Sequence, residues 1–401
     1  MSSQSAEKPS RALIYLDGNA TTPLNPSARD AMLPLLGERF GNPSSVHAIG
    51  QAARAAVDRA REQCAAALHA QPKELTFTSG GTEAAQLAIA GTVRGLLAAG
   101  RARSVKPRVV ITAVEHPCVL GACEELEALG VETTRIGVDA AGALDLRALD
   151  EALTVPGTLL CSAMAANNET GVLFPLEEIA RLCRTRQVLL HTDAVQLAGK
   201  ARIDVRVLPV DLLSLSAHKL EGPKGVGLLW TRAGIPVRAV QPGGHQERGR
   251  RGGTENAAGI VGMGAALELA MREVAHCAAR MNELRERLEA ALLSLAGVRI
   301  IAREGLRGAS TTCALFDGCD GQTLLVALDQ AGVCVSTGSA CSSGSLSPSP
   351  VLLAMGFSAQ QARSALRFSL WRGNTADEID SVAKLLPAVL ERARRASARQ
   401  P

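Results

Sequence analysis

A hydroxyl, an imidazole and a primary amine fall within four residues of one another at Ser216, His218 and Lys219. The preceding Leu213-Ser214-Leu215 reads as the end of a buried strand, and Glu221-Gly222-Pro223-Lys224-Gly225 then turns the chain sharply. A lysine displayed where a strand ends is well placed to form an imine with an aldehyde cofactor, pyridoxal phosphate being the common one. A surface lysine beside a turn would have the same local sequence. The rest of the chain decides between them.

Five further constellations carry polar residues just after, or within, apolar runs. Thr78-Ser79-Gly80-Gly81-Thr82-Glu83 offers glycines and a helix start, which suits a phosphate and equally an ordinary tight turn; it lacks the Gly-Lys-Ser/Thr of a Walker A loop. Asp193, in His191-Thr192-Asp193-Ala194-Val195-Gln196, is a carboxylate at a buried strand end, a costly placement unless it is paired. A pyridinium N–H is one such partner; helix N-capping is the alternative, and Lys219 one strand further on favours the cofactor. His116, in Glu115-His116-Pro117, can stack on a flat ring and shuttle protons, or be a loop residue. Asn167-Asn168-Glu169-Thr170-Gly171 can orient a ring hydroxyl or stabilise turns. Arg367 can grip a carboxylate with both prongs of its guanidinium or serve a structural ion pair.

Cysteine supplies a different signal. There are ten, with no CxxC and no disulfide framework spacing, as expected of reduced thiols in a cytoplasm. Most sit among apolar neighbours and read as core filler. Cys341 alone lies in a small, polar run, Ser336-Thr337-Gly338-Ser339-Ala340-Cys341-Ser342-Ser343-Gly344, and is the nucleophile candidate, although nothing nearby in sequence lowers its pKa.

The elements that must position these groups alternate. Strands are expected at 75–78, 109–113, 132–137, 159–163, 188–191, 212–215 and 226–230, with helices at 82–99, 117–129, 146–153 and 176–186 between them. That alternation argues for an α/β protein with a mostly parallel seven-stranded sheet covered on both faces, binding ligands beyond the carboxyl ends of its strands. A long helical pattern over 255–295 leads to strands at 310–316, 333–335 and 365–370 and helices at 322–331 and 376–396, a smaller α+β unit.

With 401 residues, two domains are expected. Apolar residues are 47% of the chain and aromatics only 2%, so Ala, Leu and Val fill the core. The net charge of +4 is too mild for a nucleic-acid surface. No apolar run approaches membrane-spanning length and no signal peptide is expected, so the reading is a cytoplasmic protein with neither nucleic-acid nor membrane partner.

In this order the pieces resemble the class V aminotransferase superfamily, and within it the NifS/IscS-type cysteine desulfurases. The resemblance is carried by Asn19-Ala20-Thr21-Thr22, Phe40-Gly41-Asn42-Pro43-Ser44-Ser45, Ser79 to Glu83, Glu115-His116, Asn167 to Gly171, His191 to Gln196, His218-Lys219, Gly243 to Asn256 and Ser339-Ala340-Cys341. The His245 to Asn256 block and the Ser-Gly-Ser-Leu run after the cysteine look closer to NifS. The resemblance implies a fold type I pyridoxal phosphate enzyme working as a homodimer. It divides the chain into an N-terminal segment, 1–16, packing with the small domain, a large cofactor domain, 17–265, and a small domain, 266–401, carrying the cysteine loop, 336–350.

By position, the resemblance makes Lys219 the imine-forming lysine, Asp193 the ring-nitrogen partner and His116 the group stacked over the ring. Asn168 and Gln196 contact the ring hydroxyl, while Gly81, Thr82, Ser216 and His218 hold the phosphate. Thr254 reaches the phosphate of the neighbouring subunit. Arg367, with Asn168, binds the carboxylate of L-cysteine, and Cys341 takes the sulfur as a persulfide while alanine leaves. An iron–sulfur scaffold protein, NifU-like or IscU-like, is the expected acceptor, with nitrogenase maturation and housekeeping both open. Cys341 is a transient cluster ligand at most. A selenocysteine lyase, another class V lyase or transaminase, and a non-catalytic scaffold-binding protein are the alternatives. Two residues depart from the pattern: Glu221, where many relatives carry an aromatic residue or histidine, and Pro350, where histidine is usual.

Overall fold

The computed structural model describes residues 13–338 and 347–398. Its strands are, in chain order, β1 (Ile14–Tyr15), β2 (Leu75–Thr78), β3 (Arg108–Thr112), β4 (Glu132–Ile136), β5 (Thr158–Ser162), β6 (Leu189–Asp193), β7 (Leu212–Ser216), β8 (Gly227–Thr231), β9 (Val298–Ile300), β10 (Thr311–Phe316), β11 (Val333–Cys334) and β12 (Ala365–Ser369). Seven form one sheet in the order β2-β8-β7-β6-β5-β3-β4. All neighbours in it pair parallel except β8, which is antiparallel to both β2 and β7.

Burial explains the composition of these strands. β2, β5, β7 and β8 are buried at every residue, the pattern of a sheet covered on both faces. β4 ends the sheet, and its Glu132, Thr133, Thr134 and Arg135 are partly or fully exposed, polar residues that blunt an edge. Six of the seven strands point the same way. Their carboxyl ends, with the start of β8 at Gly227, therefore share one rim.

A second, antiparallel sheet, β12-β10-β9, builds a separate apolar core with Phe316, Phe368, Leu324, Leu328, Leu386 and Leu390. Leu16 belongs to that core, and β1 pairs parallel with β11 through Ile14 and Val333. The helix Ala257–Leu293, capped by Asn256 accepting from the Gly259 N–H, contributes residues to both cores. Its 37 residues span roughly 55 Å at 1.5 Å per residue. Gly264 lets it lie against the helix Ala48–Leu68, since a β-carbon there would stand 3.0 Å from the Ala60 Cα. No helix among the described residues is long and apolar enough to cross a membrane.

The expected helix over 82–99 is interrupted: residues Leu87–Gly91 form a π-helical turn between Gly81–Gln86 and Thr92–Ala98. Two short helices, Pro350–Ala354 and Ala359–Arg363, had no expectation in the sequence; Ser349 and Ser358 cap them. Pro350, one of the two departures noted above, takes a first-turn position, where a missing N–H costs the helix nothing.

Candidate active site

Loops after the aligned strand ends converge on one cavity of about 310 Å³. Its lining holds Gly81 and Thr82 after β2, His116 and Cys118 after β3, Asn168 after β5, Asp193 at the end of β6 and Ser216, His218 and Lys219 at the end of β7. Val195 and Gln196 line it too, as do Asn19 and Ala20 from the N-terminal strap and Arg367 from β12. The cavity thus brings together ten of the twelve expected site residues. Thr254 is not among them. It is exposed in an adjacent cleft with Ser79, Gly225 and Arg251. Cys341 lies outside the described residues.

Lys219 sits on a single 3-10 turn, Ala217–Lys219, that directly continues β7. The strand delivers the turn, and Leu220 N–H bonding to the Ala217 carbonyl (3.0 Å) closes it. The Lys219 ammonium donates to the carbonyls of Asn19 (2.6 Å) and Ala20 (2.7 Å). That strap is held in turn: the Thr22 N–H and hydroxyl both donate to the His218 carbonyl, at 3.0 and 2.9 Å. Tyr15 closes its other side by donating its hydroxyl to the Asp17 and Thr21 carbonyls, each at 2.9 Å.

Asp193 is buried, and burial pushes its carboxyl above the usual range; the Val195 N–H at 2.9 Å and the charges of His116 and Lys219 act against that rise. A buried carboxylate facing a ligand cavity is suited to a cationic ring N–H, which would repay its desolvation. His116 caps the helix Pro117–Ala128, its Nδ1 accepting the Cys118 N–H at 3.2 Å with the Cys118 Sγ 3.0 Å away. Capping orients the ring at the cavity wall. Below it, Glu115 is buried with Oε1 accepting from the Thr112 hydroxyl and the Met164 N–H, both at 2.8 Å, while Oε2 has no partner among the described residues. Burial raises its carboxyl to about 8, opposed by those two hydrogen bonds and helped by Asp193.

At the other end of the cavity, Gly81 brings backbone close to Ser216. A β-carbon on Gly81 would stand 3.2 Å from the Ser216 Cβ and 3.1 Å from Val195 Cγ2. Burial lowers His218 to about 4, with Lys219 and Lys224 adding to the effect, so the imidazole is neutral near pH 7. Its Nδ1 lies 3.1 Å from the Thr21 hydroxyl. Backbone N–H groups at a helix start, hydroxyls and a neutral imidazole form a donor set that fits a phosphate. Together with the buried carboxylate and the strand-end lysine, that set fits pyridoxal phosphate.

Arg367 is held from two sides, Nη2 donating to Asp17 Oδ1 (2.7 Å) and Nη1 to the Asn168 carbonyl (3.1 Å), while its buried Nε has no partner among the described residues. Gln196 donates to the Asn19 carbonyl (3.1 Å) and accepts from Lys200 (2.9 Å). Lys200 was not singled out from sequence. Its ammonium also donates to Asn19 Oδ1 at 2.6 Å, and burial, with the charges of Lys219 and Arg367, lowers it to about 7. The one available signal was its spacing, four residues after Gln196. Cys118, unlike the cysteines that fill the core, lines the cavity, its thiol pushed up by burial. The nine described cysteines are all free, seven of them buried, and burial lifts Cys64 and Cys313 to about 12.

Both described ends of the loop around Cys341 are fixed at this site. Ser336 exchanges backbone hydrogen bonds with Arg367, at 2.7 and 3.1 Å, and Ser349 donates its hydroxyl to Glu169 Oε2 at 2.5 Å. The segment leading to Thr254 is anchored by Glu247, buried and bound by both prongs of Arg61 and by the Phe77 N–H.

The chain and its fold have relatives among known proteins. The profile of the family described as Aminotransferase class-V matches residues 14–382. A cysteine desulfurase of Cereibacter sphaeroides is 46% identical over 384 residues, covering 95% of this chain and 96% of that protein. One from Klebsiella pneumoniae is 45% identical over 383 residues, covering 95% and 94%. Among solved structures, a NifS-like protein superposes with a TM-score of 0.87 at 35% identity, covering 94% of this chain and 99% of its own. SspA in complex with cysteine gives 0.76 at 32% identity, covering 89% and 98%. By its matched length and its relatives, this chain belongs to the class V aminotransferase family.

Proposed function

We propose that this protein is a pyridoxal phosphate-dependent cysteine desulfurase. The observation that carries the reading is the convergence of Lys219, Asp193, His116 and Arg367 on one cavity at the rim of the sheet. The relatives named cysteine desulfurase and the structural relative solved with cysteine support the substrate.

When bound, pyridoxal phosphate supplies an electron sink for charge that develops at the substrate α-carbon. Lys219 would hold its aldehyde end and carry a proton to and from the α-carbon. Asp193 would keep its ring nitrogen protonated. His116 would cover the ring face, and Asn168 and Gln196 would contact the ring hydroxyl. Gly81, Thr82, Ser216 and His218 would bind the phosphate, joined in a homodimer by Thr254 of the partner subunit. Arg367 and Asn168 take the carboxylate of L-cysteine.

Cys341, as thiolate, attacks the substrate sulfur. A sulfur–sulfur bond forms, the carbon–sulfur bond breaks with its electron pair left on carbon, and protonation there yields alanine. The persulfide on Cys341 then passes to an acceptor, which we take to be an iron–sulfur scaffold of the NifU-like or IscU-like kind in the cytoplasm. A transient cluster contact through Cys341 belongs to that hand-over. We read 1–16 as a segment joined to the small domain, with 17–265 and 266–401 as the two domains; the pairing of β1 with β11 supports the first of these.

The test is spectroscopic. Purified protein loaded with pyridoxal phosphate should absorb in the visible, and Lys219→Ala should lose that band. A band that persists unchanged in Lys219→Ala contradicts the reading.

A further inference from the structure

The turn bearing Lys219 is tied to the second sheet by an ion-pair cluster centred on Glu221. Glu221 stands two residues after Lys219 with φ of 63°, a left-handed conformation uncommon for a residue with a β-carbon. Its backbone is fixed on both sides, the N–H donating to the Thr22 hydroxyl (2.8 Å) and the carbonyl accepting the Asn25 N–H (2.9 Å). Its carboxylate receives two prongs of one guanidinium, Arg372 Nε at 2.9 Å and Nη2 at 2.7 Å. The third nitrogen, Nη1, donates to Glu273 Oε2 at 2.8 Å on the long helix.

The two carboxylates are not equivalent. The Glu221 side chain is 12% exposed and that of Glu273 42% exposed, so water screens the second contact more than the first. The pairing with Glu221 is also the two-pronged one, which fixes orientation as well as distance.

Arg372 follows β12, the strand that carries Arg367, by three residues. One half-buried ion pair therefore connects the turn that bears Lys219 to the strand that bears Arg367. Those two side chains line the same cavity but come from different sheets, one at the end of β7 and the other in β12. Glu221 itself is absent from that lining. It lies behind it, in a small pocket that shares Lys219.

We propose that Glu221 is a positioning residue: by clamping Arg372 it sets the separation between Lys219 and Arg367, and so the fit for the amino and carboxylate groups of an α-amino acid. The inference rests on the roles of Lys219 and Arg367 proposed above. An error of about 1 Å between two anchoring points can cost about a hundredfold in rate, so a clamp of this kind has a kinetic consequence beyond stability. It also gives the acidic residue at this departure from the family pattern something to do.

The test uses cofactor-loaded full-length protein in three forms, Glu221→Gln, Arg372→Met and both together. Each single change is expected to raise KM for L-cysteine about tenfold while kcat moves much less. Each should also speed loss of the bound cofactor after dilution, read as decay of visible absorbance. The double variant should match the worse single variant, because a clamp already broken cannot be broken again. Losses that multiply in the double variant, or a lowered unfolding temperature with KM and cofactor loss unchanged, would overturn the proposal. Should Glu221→Gln not fold, Arg372→Lys keeps the charge without the two-pronged contact and is expected to show the same rise in KM; an unchanged KM there also overturns it. Persistence of the visible band in Lys219→Ala would count against the function instead, so the two failures are distinct.

Discussion

Asp17 Oδ1 lies 2.7 Å from Arg367 Nη2, and the Arg367 side chain is 1% exposed. A guanidinium so buried is oriented before any substrate arrives, with Asp17 and the Asn168 carbonyl holding it from two sides. Its buried Nε has no hydrogen-bond partner among the described residues. The structural ion pair, one of the two readings of Arg367 open in the sequence, is present, and it leaves the proposed carboxylate-binding role open to the same residue: Asp17 orients the fork that the proposed substrate would meet.

Arg367→Lys is therefore expected to raise KM for L-cysteine by about tenfold or more, since a point charge cannot reproduce the fork. Asp17→Asn should destabilise the fold by about 3–5 kcal/mol, because it leaves a buried cation unpaired. Steady-state kinetics and denaturant unfolding measure the two. An Asp17→Asn protein as stable as the parent would contradict the pre-orienting role.

Gly227 makes a sharper steric prediction. A β-carbon there would stand 2.3 Å from the Gly80 carbonyl carbon and 2.4 Å from its oxygen, backbone atoms that cannot swing aside. Gly227→Ala should push the Gly80-Gly81 turn off its seat, costing about 1–3 kcal/mol of stability and weakening pyridoxal phosphate binding. Gly121, with nothing within 4 Å of its built β-carbon and a place in the helix Pro117–Ala128, is the control. Gly121→Ala should gain about 0.5–1 kcal/mol and leave cofactor titration unchanged.

Glu115 makes the stability depend on pH in a direction that can be worked out. Its carboxyl is raised from the ordinary 4.5 to about 8, so between those values the folded chain holds a proton that the unfolded chain has released. Its contribution to stability therefore falls as pH rises from about 4.5 through about 8. Glu115→Gln should flatten that part of the profile in unfolding temperature measured from pH 5 to 8. A profile as steep as the parent's would place the proton elsewhere.

Much of the scaffold was legible because buried parallel strands are short unbroken apolar runs, and Leu159-Leu160-Cys161 or Leu212-Leu213 have no other economical place. Nine of the ten expected site residues in the cavity share it for the same reason: they end or follow such runs, and strand ends in this architecture meet at one rim, while Arg367 reaches the cavity from within β12 of the second sheet. The direction of β8 was not legible, since Leu228-Leu229-Trp230 buries equally well either way. Nor was the π turn at Leu87–Gly91, whose composition suits an ordinary helix. Lys200 was missed because only the folded strap brings Asn19 to it, 181 residues away in sequence. Glu221 could be noticed as unusual, but its partner Arg372, 151 residues on, required the tertiary structure.

In the proposed mechanism the cavity prepares L-cysteine and Cys341 removes its sulfur. The direct measurement is a single turnover of cofactor-loaded Cys341→Ala with L-cysteine, following visible absorbance and sulfide released in the presence of reductant. The absorbance should respond to cysteine, as in the parent protein, while sulfide and alanine fail to form. Sulfide release from Cys341→Ala at the parent rate would contradict it.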